Sequence, residues 1–149
     1  MKNNIAYWLF GIFVVVVAVL LLVSRNVPLS SSASPSGASG LKEQTDSQGD
    51  VIVTVTPGDP SSNSQTWDFQ VGLNTHSGDL NQDLTKTAEL QDSQGKVYKP
   101  LQWQGPPPGG HHINGILKFP KPNPVPSSFK LTIRQVEGVD RTFTWQLNK

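Results

Sequence analysis

The chain carries one uninterrupted apolar segment near its amino end, Ile5–Val23, which contains no charged residue. A helix of about 19 residues is long enough to span the ~30 Å hydrocarbon core of a bilayer. The segment is longer than the apolar core of a secretory signal, which has roughly 7–15 residues. The nearest acceptable cleavage site, around Ala33, lies well beyond its end. We therefore predict that residues 1–25 form an uncleaved transmembrane signal anchor, with a cleaved signal peptide as the alternative.

The charges beside this segment give a weak orientation signal. Lys2 and the amino terminus precede the apolar run, and Arg25 follows it. Because so few residues precede the run, we expect the amino end to remain in the cytoplasm and the rest of the chain to be exported. The predicted location is the cell membrane, with a single pass and an extracytoplasmic C-terminal domain. The chain has no cysteine, so disulfides and cysteine-linked lipid anchors are both excluded.

Residues 26–50 have the composition of a linker. Serine, glycine, proline and isolated charges cannot bury enough apolar surface to offset the entropy of the chain. A flexible coil of this length has a root-mean-square span of ~27 Å. We therefore predict a spacer that separates the membrane anchor from a domain at residues 51–149.

Residues 51–149 carry strand signals instead of helix signals. No apolar period of 3.6 residues occurs, and short alternating runs recur at intervals of about 10–15 residues. In Trp67–Asn74, apolar side chains occupy one face and polar side chains the other, which is typical of a strand with one buried side. The predicted strands are Val51–Thr56, Trp67–Asn74, Leu84–Leu90, Val97–Trp103, Ile113–Phe119, Phe129–Gln135 and Thr142–Leu147.

Two short connections, Asp92–Gly95 and Glu137–Asp140, predict hairpins. About seven antiparallel strands indicate an all-β domain, and we predict a single immunoglobulin-like antiparallel β-sandwich preceded by one transmembrane helix and a flexible linker. The Cys–Trp–Cys signature of true immunoglobulin domains is absent, so the prediction concerns architecture only. The side chains expected in the core are Trp67, Phe69, Val71, Leu73, Leu131, Ile133, Phe143, Trp145 and Leu147.

All three histidines lie in two loop-like segments. One segment contains His76, Asp79 and Asp83, and the other contains His111 and His112. Because the loops of a sandwich gather at the two ends of its sheets, we expect these segments to lie close together. Imidazole and carboxylate groups form a ligand set that zinc or copper(II) accepts, so these five residues are the candidate metal ligands. A blue-copper site is excluded because the chain has no thiolate.

Ordinary solvent-exposed loop histidines are the alternative. Adjacent residues of an extended strand point to opposite faces, so His111 and His112 can face one ion only if the backbone there is irregular. Gly109 and Gly110 permit such irregularity without requiring it. We therefore expect no cofactor, with copper or zinc as the possible exception.

Two weaker patterns have ordinary interpretations beside the functional ones. Asp79, Asn81 and Asp83 match the first positions of a calcium loop, but leucine occupies the positions of the required glycine and the closing glutamate. An ordinary polar turn is the alternative. Gly105–Gly109 contains three prolines and could present a polyproline II ligand to a partner, although such a run more often stiffens a loop.

Signatures of catalysis and of nucleic-acid binding are missing. The sequence contains no nucleophile elbow, phosphate-binding loop, HExxH motif or dinucleotide fingerprint. Ser77 follows His76, but adjacency in sequence does not give the geometry of a catalytic triad. The net charge is +1 and the basic residues are scattered, which argues against a nucleic-acid partner. We therefore expect a protein that is not an enzyme.

Two motifs, NTHS at Asn74–Ser77 and GGHH at Gly109–His112, carry a family resemblance. On these motifs the chain resembles a group of uncharacterised prokaryotic proteins, and the similarity extends over about residues 51–120. The resemblance implies a small membrane-anchored or secreted β-domain. It implies no particular activity and assigns no role to the histidines.

These observations favour a membrane-tethered extracytoplasmic binding or interaction module. Its partners would be the membrane, through the N-terminal helix, and a protein. The alternative hypothesis is the binding or handling of a divalent metal, copper or zinc, through the histidine cluster.

Overall fold

The computed structural model describes residues 41–147. Within them, nine strands and one short helix follow each other along the chain. The first strands are β1 (Gln44–Asp46), β2 (Val51–Pro57) and β3 (Thr66–Thr75), followed by helix α1 (Leu84–Thr87) and then β4 (Ala88–Asp92) and β5 (Val97–Tyr98). The remaining strands are β6 (Gln102–Gln104), β7 (His112–Pro120), β8 (Ser128–Val136) and β9 (Val139–Gln146).

The strands form two antiparallel sheets. One has the order β1-β2-β3-β7-β6 and the other the order β5-β4-β8-β9. Apart from the additional β1, the first order corresponds to A-B-E-D of the immunoglobulin fold, and the second to C′-C-F-G. The predicted two-sheet antiparallel sandwich is therefore confirmed.

Aromatic side chains from both sheets meet in the core. The ring centroids of Trp67 in β3 and Phe129 in β8 lie 4.3 Å apart, and Phe129 stacks on Trp145 of β9 at 5.2 Å. Within the first sheet, Phe69 of β3 contacts Phe119 of the neighbouring strand β7 edge-on, with ring centroids 5.5 Å apart. Eight of the nine predicted core residues are buried, and the ninth, Leu147, is partly buried against the same cluster. Alternation of apolar residues was therefore a reliable guide to the inward faces.

The strand predicted at Leu84–Leu90 differs from the structure in its first half. Residues Leu84–Thr87 form a single helical turn, and only Ala88–Asp92 forms a strand. Asp83 is the N-cap, and its carbonyl oxygen accepts hydrogen bonds from the backbone amides of Lys86 and Thr87 at 2.9 and 3.0 Å. A capping aspartate satisfies amides that would otherwise lack partners, which favours the turn over an extended chain.

The single strand predicted at Val97–Trp103 is two strands in different sheets. Tyr98 in β5 pairs with Leu90, whereas Trp103 in β6 pairs with Leu117 of the other sheet. Pro100 lies between them and has no amide hydrogen to donate to a ladder, so the chain leaves one sheet there and joins the other.

Both predicted hairpins are present. In the first, the amide of Gly95 donates to the carbonyl of Asp92 at 3.0 Å. In the second, Val136 pairs with Val139, and the two residues between them, Glu137 and Gly138, have φ angles of 52° and 77°. Two left-handed residues in a two-residue connection match the right-handed twist of the flanking strands.

Residues 41–50, which the sequence analysis assigned to the linker, are part of the domain. We call them the clasp. Leu41 packs against the core, and β1 pairs with β2. The indole nitrogen of Trp145 donates to the carbonyl of Lys42 at 2.7 Å. Composition predicted a spacer because the clasp is polar, but its polar groups are used in specific hydrogen bonds to the sandwich.

Within residues 41–147 we find no helix that is both long enough and apolar enough to cross a bilayer. The predicted transmembrane anchor at residues 1–25 and the linker up to residue 40 lie outside the described residues.

Candidate functional site

The two histidine-bearing loops lie side by side at one end of the sandwich. The amide of Thr75 donates to the carbonyl of His111 at 2.9 Å. Leu80 donates to Gly110 at 2.9 Å and accepts from Gly109 at 2.7 Å. Gly109 and Gly110 have φ angles of 131° and 71°, which suit glycine and allow this close pairing of the loops. The expected convergence of the two loops is confirmed.

The histidine side chains themselves are solvent-exposed. His76, His111 and His112 are all exposed. His112 begins β7 directly opposite Asn74, and its Nδ1 lies 2.8 Å from the Asn74 Oδ1. An amide oxygen only accepts hydrogen bonds, so Nδ1 of His112 is the donor in this contact.

A third loop, the β8–β9 hairpin, is bonded to the first. The amide of the Gln82 side chain donates to the carbonyl of Gln135 at 2.8 Å. The same hairpin bonds to the start of β2, because the Glu137 carboxylate accepts from the amides of Asp50 and Val51 at 3.0 and 3.2 Å. We call the assembly of residues 76–83, 109–112 and 135–138 the loop end.

Two surface cavities open at the loop end. One, of about 270 Å³, lies between the β3–β4 loop and the β8–β9 hairpin, and its lining includes Asp79, Gln82 and Glu137. The other, of about 370 Å³, is lined in part by His76 and Ser77. Ser77 lines both cavities, and its hydroxyl donates to the Asp50 carboxylate at 2.8 Å. The loop end therefore carries two neighbouring cavities that share Ser77 in their walls.

The two predicted aspartate ligands have different surroundings. Asp83 accepts from the ammonium of Lys86 and from the hydroxyl of Thr85, and these contacts lower its pKa to about 2. Its carboxylate is thus already engaged in capping α1. Asp79 is exposed at the cavity. In the described part of the chain, no three histidine, cysteine, aspartate or glutamate side chains are placed so that they could hold a metal ion.

Sequence reasoning missed Arg141, a fully buried cation that joins the clasp to the sandwich. Its guanidinium binds Asp46 Oδ1 at 2.5 Å and also donates to the carbonyl of Gln48. Arg141 lies on the same inward face of β9 as Phe143 and Trp145. Extending the alternation of the last predicted strand backwards by one step would have identified it.

The sequence analysis also missed the hydrogen bonds from Asp50 and Val51 to the Glu137 carboxylate, for which the sequence gives a weaker signal than for Arg141. Glu137 occupies a left-handed turn position, at which glycine or asparagine is more usual. Its side chain binds backbone amides of a segment 86 and 87 residues away in sequence. Such a contact depends on the tertiary arrangement and has no local pattern.

The opposite end of the sandwich has a cavity of the same size. It has a volume of about 270 Å³ and lies between the β4–β5 turn and residues 123–127. Tyr98 donates its hydroxyl hydrogen to the Asp92 carboxylate there at 3.0 Å. The contacts of Asp92 with Gln94, Lys96 and Tyr98 all lie within one hairpin. Cavity size therefore does not distinguish the two ends.

Separate loops are also bonded at the opposite end, where Lys121 donates to the carbonyls of Gln65 and Ser62. The loop end differs in carrying all three histidines.

No protein-family model matches the sequence, and no curated protein sequence matches it. Among solved structures, the chain is similar to the secreted protein MPT63 from Mycobacterium tuberculosis, with 19% identity and a TM-score of 0.44 over 71% of this chain and 92% of that one. It is also similar to a DUF4426 family protein from Pseudomonas aeruginosa, with 16% identity and a TM-score of 0.42 over 70% of this chain and 92% of that one.

Proposed function

We propose that this protein is a single-pass, membrane-tethered interaction module whose extracytoplasmic β-sandwich binds a protein partner through the loop end. The observation that carries the proposal is that three exposed histidines lie on loops that are bonded to each other. The β3–β4 loop is hydrogen-bonded to the β6–β7 loop through Leu80 and to the β8–β9 hairpin through Gln82. Loops that are already fixed lose less conformational entropy when a partner binds.

The side chains presented by these loops suit a polar interface. Histidine can donate, accept and stack, and three histidines project from adjacent loops into solvent. Leu80 is 3% exposed and anchors the β3–β4 loop in the core beneath them. The β3–β4 loop has a polar, glycine-containing sequence, but the buried Leu80 holds it in place. A loop held in this way favours specific recognition of one partner.

We propose a binding role and no catalytic residue. Ser77, the hydroxyl residue beside His76, donates its hydrogen to the Asp50 carboxylate at 2.8 Å. A nucleophilic serine instead donates to a histidine that acts as its base. The hydrogen bond from Ser77 to Asp50 therefore holds the β3–β4 loop in place and does not activate the hydroxyl.

Binding of a divalent metal is a second candidate. It is favoured by the hydrogen bond between His112 and Asn74, which orients the imidazole as hydrogen bonds to ligating histidines do in metal sites. His111 and His76 lie on the loops that meet beside it. A site of this kind would use two of the imidazoles together with water, and would bind zinc or copper(II).

Affinity purification of the full-length protein from its own membranes tests the first candidate. The variant H76A/H111A/H112A alters the loop end, and K96A/N123A alters the opposite end as a matched control. We expect recovery of a partner to fall at least tenfold in the histidine variant, equivalent to about 1.4 kcal/mol, and to remain unchanged in the control. Equal recovery of the partner from both variants would show that the loop end is not the binding surface.

Calorimetric titration of residues 41–149 with Zn(II) and Cu(II) tests the second candidate. A histidine site should bind in the micromolar range near pH 7 and weaken below pH ~6, where the imidazoles become protonated. The same histidine variant should abolish the heat of binding. No heat with either ion would eliminate metal binding and leave the interaction module unaffected.

A reporter fused after Lys149 tests the proposed topology. Activity confined to the extracytoplasmic side is expected. Activity confined to the cytoplasm would reverse the orientation, and a mature amino terminus near Ser34 would show that the anchor is cleaved.

A further inference from the structure

The clasp runs along β9 and is attached to it by a series of polar contacts. The Gln44 side-chain amide binds both backbone groups of Thr144, donating to its carbonyl at 2.7 Å and accepting from its amide at 3.2 Å. Asp46 follows with its ion pair to the buried Arg141. A side-chain amide that satisfies both groups of one residue substitutes for a neighbouring strand at that position. These contacts of Gln44 and Asp46 with β9 therefore use side chains of the clasp. On its other side, β1 pairs with β2 through the backbone.

The far end of the clasp is joined directly to the loop end. The amide of Asp50 donates to Glu137 Oε2 at 3.0 Å, and its carboxylate accepts from the Ser77 hydroxyl at 2.8 Å. A single clasp residue therefore contacts both the β8–β9 hairpin and the β3–β4 loop. These two loops also contact each other through Gln82 and Gln135.

Two residues of the β8–β9 hairpin adopt left-handed backbone conformations next to these contacts. Gln135 and Glu137 have φ angles of 56° and 52°, a region that residues with a side chain adopt at an energetic cost. Such conformations persist when the surroundings determine them. Here the surroundings include the Asp50 amide at the Glu137 carboxylate and the Gln82 side chain at the Gln135 carbonyl. The Asp140 carboxylate, which accepts from the Gln135 amide at 3.0 Å, adds a contact within the hairpin.

We propose that the clasp is a latch for the loop end, so that release of the clasp from β9 loosens the β3–β4 loop and the β8–β9 hairpin. Asp50 is the point of transmission. The chain that precedes residue 41 enters the domain through the clasp, so a pull or a binding event on that chain acts on the clasp, which Asp50 joins to the loop end. Because coupling between two sites is reciprocal, immobilising the loop end must also hold the clasp in place.

The absence of native cysteine allows a direct test in the full-length protein. Leu80 is 3% exposed, so the L80C thiol reacts with a labelling reagent only when the β3–β4 loop opens. Val71 is fully buried in the central strand β3, so the V71C thiol reports opening of the whole domain. The perturbing substitution is Q44A, which removes the two hydrogen bonds to Thr144. Residue 44 is far in sequence from both reporter positions, 71 and 80.

We expect Q44A to accelerate labelling of L80C about tenfold, in line with the loss of two hydrogen bonds. Labelling of V71C, which reports unfolding of the whole domain, should remain slower than that of L80C with and without Q44A. The matched control is Q91A, which removes a comparable bond from Gln91 to the Gly95 carbonyl at the opposite end. It should change neither rate. Unchanged labelling of L80C in Q44A, or labelling of L80C that is no faster than that of V71C, would overturn the latch.

The reciprocal arm uses S77A, which removes the bond from the loop end to Asp50. Amide hydrogen exchange in β1 should then become several-fold faster, as linkage requires. Exchange at Lys96, in the opposite end, should not change. Unaltered exchange in β1 would show that the clasp and the loop end open independently.

Discussion

The two lateral sides of the sandwich are closed in different ways. On one side, which we call the clasp side, the eight-residue edge strand β9 is covered by polar contacts from the clasp. On the other, the open side, β5 and β6 have only two and three residues, and Val97 and Leu101 are 45% and 62% exposed. A long edge strand needs cover to prevent pairing with another chain, whereas a very short one offers little to pair with. The comparison indicates that a long edge strand such as β9 needs covering by polar contacts, whereas the short edge strands β5 and β6 do not.

The largest expected effect contrasts a tryptophan on each side. Trp145 on the clasp side is 4% exposed, stacks on Phe129 and donates to Lys42, so W145A should cost roughly 3–5 kcal/mol. Trp103 on the open side is only partly buried, although it donates to Pro106, so W103A should cost clearly less. Urea denaturation of residues 41–149 measures both. Equal losses would mean that the two sides are equally well packed.

The next contrast is between two ion pairs. D46A leaves the fully buried Arg141 without its carboxylate, which should cost about 3 kcal/mol. On the open side, Lys99 and Glu89 are paired at 3.2 Å, but the lysine side chain is 66% exposed, so K99A should cost less than ~1 kcal/mol. The same denaturation experiment compares them. A D46A loss as small as that of K99A would contradict the assignment of the clasp as a structural element.

The pH dependence of the clasp follows from Asp46. Burial raises the pKa of this carboxyl, but hydrogen bonds from Gln48 and Arg141 outweigh burial and lower the pKa below its usual value of 3.8. A carboxyl with a lowered pKa in the folded state adds stability above its unfolded pKa, and this stability is lost as the pH falls through the folded pKa. The stability difference between wild type and D46N should therefore shrink as the pH is lowered from 6 to below about 4.

The control for this measurement is D79N, which changes an exposed carboxylate of the loop end. Its stability should remain close to that of wild type at every pH. A D46N difference that does not vary with pH would show that Asp46 keeps the same pKa in the folded and unfolded states.

The smallest effect is expected at Leu101 on the open side. Its side chain is 62% exposed, so L101S should change the free energy of unfolding by less than ~0.5 kcal/mol. Thermal unfolding by circular dichroism checks this. A loss above ~1 kcal/mol would mean that the open side is covered in solution, and the comparison between the sides would need to be revised.

The sandwich could be predicted because its information is local. Alternation places Trp67, Phe69 and Leu131 on inward faces, and the same side chains are buried in the structure. The clasp could not be predicted from composition, because Gln44 and Asp46 resemble linker residues until the partners on β9 are known. Arg141 is the intermediate case, since alternation assigns it an inward position but hydropathy argues against burial.

The candidate site was predictable to a similar extent. Strand ends and glycines correctly indicated that the loops of His76 and His111 meet. The sequence did not indicate that Asp83 caps a helical turn, because the local pattern favoured a strand. It also gave no sign of the contacts at Asp50, which join segments far apart in the chain.

Site-specific photo-crosslinking in intact cells tests the central claim, that the loop end is the binding surface. Because the chain has no cysteine, a photoreactive group can be attached to the H111C thiol at the loop end or to the Q94C thiol at the opposite end. The account predicts a discrete cross-linked protein from position 111 that is absent from position 94 and is lost when His76 and His112 are replaced by alanine. A cross-link of equal yield from both positions, or one from position 94 alone, would contradict it.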